Sequence, residues 1–308
     1  MDLKQKASLS AIISAVFLSL SKFVIGLTSG SMAVITSALD SILDIFMSTL
    51  NYLAIKKADM PPDKNHLYGH GKIEDLAAIV QSLFVLFTGL FIIYKSIEKI
   101  FTKSVVLYSG WDVSVMVLSI SVSFFLSRYL KNVGEKTNSN VLKADALHYS
   151  SDLYSNTGVL VAIIISYFTG KAFFDFLLAI VIGIIIIFSA FKILKHGVYN
   201  LSDISLSEEI KSEIDKIIDE MPMPYAGYHK LRTRTSGSKK FIDFHLLVCR
   251  KASIEEAHKM ADDIEEKIRE NLGNMDIVIH IEPCPYNCDF SEENCRVIKM
   301  RKIHAATR

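Results

Sequence analysis

The sequence predicts an all-α, six-helix transmembrane domain followed by a small α+β cytosolic domain of ferredoxin-like αββαβ order. Three observations predict it. Six runs of about 20 apolar residues, each long enough for a hydrocarbon core about 30 Å thick, fill the first two thirds of the 308 residues. Hydrophobic residues make up 50% of the chain, yet charged residues still reach 22% and are concentrated in the last third. In that last third the pattern changes from long apolar runs to amphipathic and alternating segments.

The six spans run from about Leu9 to Leu27, Ser31 to Ile55, Ile73 to Ile100, Trp111 to Leu130, Val141 to Phe168 and Phe174 to Leu194. Met1 to Lys6 leads into the first without a small-residue cleavage site, so it reads as a span and not a signal peptide. Lys4, Lys6, Lys56, Lys57, Lys64, Lys72, Arg128, Lys131, Lys136 and Lys143 flank one side, with Lys192 and Lys195 after the last span. The other side has only Lys95, Lys99, Lys103 and Lys171. Positive charge gathers on the cytoplasmic side, which puts both termini there and sets Tyr108 and Trp111 in the outer interface.

Residues 1–200 therefore form the membrane domain and 201–285 the cytosolic one, and residues 286–308 are expected to be a partly disordered tail. Within the cytosolic domain, Ser207 to Glu220 reads as a helix, His229 to Thr235 and Phe241 to Val248 as strands, and Ile277 to Ile281 as a last strand. Ser236-Gly237-Ser238 supplies a turn, and Ser253 with Glu256 a capping box that begins a second helix. The net charge of +1 leaves no basic footprint for nucleic acid. All four cysteines, Cys249, Cys284, Cys288 and Cys295, lie on the reducing side, and the C-x3-C-x6-C spacing of the last three matches no zinc motif.

Asp40 and Asp44 lie four residues apart inside the second span, and His148 and Asp152 do the same in the fifth, so each pair shares a helix face. A carboxylate at mid-membrane costs about 2.5 to 3.5 kcal/mol even on the lenient insertion scale. A polar seam with Ser37, Ser41, Ser151 and Ser155 is one way to compensate, but Lys22 is the only Lys or Arg well inside a span. A divalent ion is the other. Three carboxylates and one imidazole suit tetrahedral zinc, and also accept cadmium, ferrous iron or cobalt. In the loop between spans two and three, Asp63, His66 and His70 give a D-x-x-H-x-x-x-H spacing that fits a ligand set or an ordinary solvated loop equally well. In the last third, strand alternation puts His280 and Glu282 on one face, and His229 and His245 lie on candidate strands, while His258 stands in a helix; surface histidines would look the same.

The SALDSILD of span two and the ADALHYSSD of span five resemble the transport-site motifs of the cation diffusion facilitator family, most closely its bacterial zinc and ferrous-iron efflux branch. The resemblance covers Leu9 to Cys284. It implies a metal/proton antiporter of the bacterial inner membrane, a homodimer and not an enzyme, with Asp40, Asp44, His148 and Asp152 as transport-site ligands. It further implies a loop site at Asp63, His66 and His70, and a cytosolic site at His229, His245, His258, His280 and Glu282, where Glu282 replaces the Asp of close relatives. Lys72 and Asp203 match a charge interlock between the two domains. The partners implied are the bilayer, divalent metal ions and protons, with no cofactor beyond the transported or regulatory metal.

Proton exchange also follows from charge. An empty site of three carboxylates repels itself and takes up protons, so protons and metal compete for the same groups. An intramembrane metal-dependent hydrolase would need a water-activating motif such as H-E-x-x-H, which is absent from the sequence, and a non-transporting metal sensor has no use for buried acids.

Overall fold

The computed structural model describes residues 2–29, 32–102, 110–169, 173–221, 225–273 and 275–284. The expected tail, Tyr108, Lys103, Lys171, Cys288 and Cys295 lie outside them. The chain divides into two compact units, Met1–Leu201 and Ser202–Arg308.

The first unit holds six long helices: α1 Leu3–Ser29, α2 Met32–Ala58, α3 Lys72–Thr102, α4 Gly110–Lys136, α5 Asn140–Thr169 and α6 Phe173–Leu201. Each outlasts its apolar run because nothing breaks the helix where the polar residues begin. Lys56 and Lys57, for example, occupy the last turn of α2, where they also complement the helix dipole. Five helices are long and apolar enough to cross a membrane: the first four and α6. Helix α5 is 30 residues long but carries Lys143, Asp145 and Asp152, and is not among the five.

Polarity in this unit is turned inward. Phe17, Phe46, Phe87, Phe91, Phe125 and Phe188 point out, while Ser8, Lys22, Ser41, Asn51, Glu74, Gln81, Asp145 and His148 are buried. Lipid offers no penalty to the aromatic exterior, whereas polar groups lower their energy by facing one another inside. Helices α3 and α6 cross closely at two glycines. A Cβ on Gly89 would sit 3.2 Å from the Gly183 carbonyl oxygen, and one on Gly183 would sit 3.1 Å from that of Gly89. The missing side chains let the two backbones meet.

In the second unit, α7 Glu208–Asp219 precedes a hairpin of β1 Gly227–Ser236 and β2 Lys239–Val248, then α8 Ile254–Leu272 and β3 Met275–Pro283. The hairpin turns on Gly237 at φ 59, which the tight connection requires. Strands β1 and β2 are antiparallel, while β2 and β3 are parallel and need the α8 crossover. Ser253 and Glu256 form the capping box that starts α8. Ile214 and Ile218 of α7, Ile264 and Ile268 of α8, and Phe244 and Leu246 of β2 form its core.

The glycine crossing is testable. Gly183→Val should destabilise the full-length protein by about 1 to 3 kcal/mol, as overpacking does. Gly110→Ala, whose Cβ meets nothing within 4 Å, should be neutral in the same detergent melt. Equal melting of both variants would show that α3 and α6 do not depend on this approach.

Candidate metal sites

Helices α2 and α5 bring three of the four expected transport-site residues together. Ligand atoms of Asp44, His148 and Asp152 lie within 4.8 Å of one another. His148 Nε2 is 3.0 Å from Asp44 Oδ1 and 3.9 Å from Asp152 Oδ2. The ring is held edge-on between Phe84 of α3, at 5.8 Å, and Tyr149, at 5.3 Å. Asp40, one helical turn before Asp44, is exposed and stands outside the group.

Two serines of the alternative polar seam, Ser41 and Ser151, bond elsewhere and not to these acids. Ser41 accepts a 2.8 Å hydrogen bond from Lys22 Nζ, and Ser151 donates to the His148 carbonyl at 2.7 Å. Tyr149 was not singled out in the sequence, although it adjoins His148. Its buried hydroxyl pairs with Ser48 at 3.0 Å and donates to the Ala11 carbonyl at 3.2 Å, tying α5 to α2 and α1 behind the site. A lone tyrosine, with partners on two other helices, gives no sequence signal for such a clasp.

In the loop, Asp63, His66 and His70 also converge within 4.8 Å. Asp63 Oδ1 accepts from the backbone N–H groups of Asn65 and His66 at 2.9 and 2.8 Å, folding the loop as an Asx turn. His66 Nδ1 lies 3.0 Å from Asp63 Oδ1, and His70 Nε2 lies 3.2 Å from Oδ2. The Asn65 N–H, followed by the His66 contacts, pulls the Asp63 pKa down to about 2, so this carboxylate stays ionised throughout the physiological range.

In the second unit, sheet register does what sequence spacing could not show. His229 pairs with His245, and His245 with His280, so the three imidazoles form one rung across β1, β2 and β3. Adjacent ring centroids are 5.2 and 4.7 Å apart. A bulge between His229 and Arg232, with Lys230 at φ 54, shifts the register just beyond the rung. Glu282 reaches over it: Oε1 is 2.7 Å from His245 Nδ1, and Oε2 is 3.2 Å from His229 Nε2. The longer arm of Glu282 therefore bridges two imidazoles. His280 is more distant from the carboxylate, at 3.8 Å, and is not in the group of three donors formed by His229, His245 and Glu282. His258 sits on α8, exposed, 3.6 Å from Asp262. Cys249 and Cys284 are free thiols. Lys72 donates to the Leu201 carbonyl at 3.3 Å, and Asp203 lies 3.9 Å from Arg234.

Polar groups turned inward among lipid-facing helices, with carboxylates and an imidazole at the centre, define a membrane protein that handles cations. Residues 8–202 match the cation efflux transmembrane domain family, and residues 206–284 match the cytoplasmic domain of cation efflux proteins. The chain is 33% identical over 282 residues to the cation-efflux pump FieF of Escherichia coli (strain K12 / DH10B) and to that of Shigella boydii serotype 18. It is 32% identical to the FieF pump of Serratia proteamaculans, and each comparison covers 92% of this chain and 93% of the relative. A solved structure of CzrB in its zinc form is 30% identical, covering 25% of this chain and 82% of its own, with a TM-score of 0.22. The chain belongs to the cation efflux family and is a metal cation transporter, not an enzyme.

The second unit has its own core, so its cluster can be tested alone. Residues 202–284 should be stabilised by zinc relative to a chelator by about 2.7 kcal/mol at 100 times Kd, and so melt higher, and His245→Ala should lose most of that gain. An identical melting temperature with and without zinc would remove this site. The hydrogen bond from His245, before the charges of His245 and His229, holds the Glu282 pKa below its ordinary 4.5. Its contribution to metal-free stability is present above that value and is lost as pH falls through the lower folded pKa. Glu282→Gln should therefore flatten the acid limb of the stability curve below pH 4.5.

Proposed function

We propose that this chain exports a divalent transition metal, zinc by preference with cadmium and ferrous iron also admitted, in exchange for protons. Six spans, cytoplasmic termini and a homodimer in a bacterial inner membrane complete the reading. The observation that carries it is the convergence of Asp44, His148 and Asp152 inside the helical unit. Oxygen and nitrogen donors in that number suit zinc, and Asp40 one turn away on α2 offers the fourth ligand. A divalent ion balances all but one unit of the charge of three carboxylates. When the ion leaves, the repelling carboxylates and the imidazole take up protons instead. If the site opens alternately to each side, inward proton movement drives metal outward, at about 2.3 kcal/mol per elementary charge per 100 mV.

The loop group and the histidine rung with Glu282 are read as further zinc sites, the latter regulatory, with His258 and His280 as its outer ligands. Their support is donor chemistry and proximity, which suit zinc as well as the transport group does.

Reconstitution tests the reading. In vesicles with the cytoplasmic face outward, zinc should accumulate faster when the lumen is acidic, and Asp44→Ala or Asp152→Ala should abolish accumulation while leaving the oligomer intact. His148→Ala should weaken the response to pH. Near-normal flux in both aspartate variants would sink the site assignment. Flux indifferent to the proton gradient at fixed membrane potential would rule out exchange.

A further inference from the structure

Between the transport group and the end of the helices from which the chain enters its second unit lies a second set of buried polar groups. Asp145, Asn51 and Gln81 are each 0% exposed. Both carboxylate oxygens of Asp145 and both polar atoms of Asn51 and of Gln81 make no hydrogen bond. Asn51 nonetheless lies close enough to Asp145 to interact with it. Gln81 is brought level with them by the pairing of α3 and α5. Asn140 bonds Asp75 at 2.7 Å and His148 packs on Phe84 at 5.8 Å, so the two helices run in parallel. Gln81 precedes Phe84 by three residues, just as Asp145 precedes His148. His148 turns Nε2 to Asp44 and leaves Nδ1 without a partner, adding another orphaned atom on this side.

Neither lysine of the interior serves this carboxylate. Lys22 bonds Ser41, and Lys4 bonds Asp59 and approaches Glu74 at 3.7 Å. A buried carboxylate beside the Asn51 amide, with the Gln81 amide level with it on α3, has the character of a hard-donor cation site, too poor in ligands to dehydrate an ion fully. A partly hydrated cation supplies positive charge to the oxygens, and its remaining waters supply acceptors to the amide N–H groups.

We propose that Asp145, Asn51 and Gln81 form a waystation at which the exported cation is held, partly hydrated, before it passes to Asp44, His148 and Asp152. The proposal rests on the transport reading above. Farther toward the same end, Glu74 and Asp75 are buried on α3, and Asp75 is bonded by Asn140 of α5 and Asn200 of α6. Carboxylates thus recur along one route, with Asp145 as the intermediate step. At Asp145 the cation exchanges some of its water for protein oxygen, which shortens the dehydration left for the tighter group.

The test uses the full-length protein. Asp145→Asn keeps the shape and removes the charge. In vesicles it should raise the KM for cytoplasmic-side zinc at least tenfold, with a smaller fall in kcat. Gln81→Leu, which carries no charge change, should raise KM three- to tenfold and covers the case in which Asp145→Asn fails to fold. Equilibrium dialysis with cadmium on Asp44→Ala/Asp152→Ala protein should lose one weakly bound equivalent when Asp145→Asn is added. Wild-type KM in folded Asp145→Asn and Gln81→Leu, or an unchanged number of cadmium equivalents, would overturn the proposal. If Asp44→Ala abolishes flux while both waystation variants behave as wild type, only the waystation fails. If Asp44→Ala itself transports, the transport reading fails first.

Discussion

Carboxylates set in a bilayer with few cations to meet them are the constraint on which the first unit depends. Asp145, Glu74 and Asp75 are buried and Asp44 and Asp152 partly so, and among the described residues the positive groups that act on them are few: Lys4 and Lys143 beside Glu74, His196 near Asp75, and Lys22 and His148 farther in. At about 2.5 to 3.5 kcal/mol for each acid at mid-membrane, even on the lenient scale, such a set persists only if the fold draws the acids around shared partners. The inward polarity follows from that need. So does the clasp at Tyr149, because His148 spans from α5 to Asp44 only while the helices keep their spacing and rotation. Moving α2 by one residue would turn Asp44 about 100° away from the ring.

Much of this was legible in the sequence, and the reasons divide cleanly. Apolar runs marked the five helices long and apolar enough to cross, since length and composition alone set that requirement, whereas α5 with Lys143, Asp145 and Asp152 is not among them. Helix ends were read short because polarity ends a hydropathy signal but does not end a helix, as Lys56 and Lys57 show. Pairs spaced by four residues revealed Asp40 with Asp44 and His148 with Asp152. The assembly of Asp44, His148 and Asp152 into one group, with Asp40 outside it, depends on helix packing, which spacing within a helix cannot report. Asp145, Asn51 and Gln81 passed unnoticed for the same reason. Each is alone on its own helix, and they become a set only when α2, α3 and α5 are brought side by side.

The histidine rung makes the same point in a sheet. His229, His245 and His280 are scattered along the chain, and alternation fixes only which face of its own strand each occupies. Register decides whether they meet, and a slip by one residue would put one of them on the opposite face. The two-residue turn at Gly237 and the bulge at Lys230 together set that register on β1, and the α8 crossover sets it on β3. Glu282 could be placed beside His280 from sequence, but its contact with His229 two strands away could not.

Lys22 leaves the oxygens of the proposed transport group open. A lysine bonded directly to Asp40 or Asp152 would form a fixed ion pair and would have to be displaced whenever a metal ion arrived. Here Lys22 bonds the hydroxyl of Ser41, between Asp40 and Asp44 on α2, yet its charge still acts on Asp40 and Asp152. Coulomb attraction falls only inversely with distance, so a nearby ammonium eases the repulsion among the acids without occupying their oxygens. The lone pairs are left for a metal ion or for protons, and under the proposed exchange the competition between those two would convert a proton gradient into metal export.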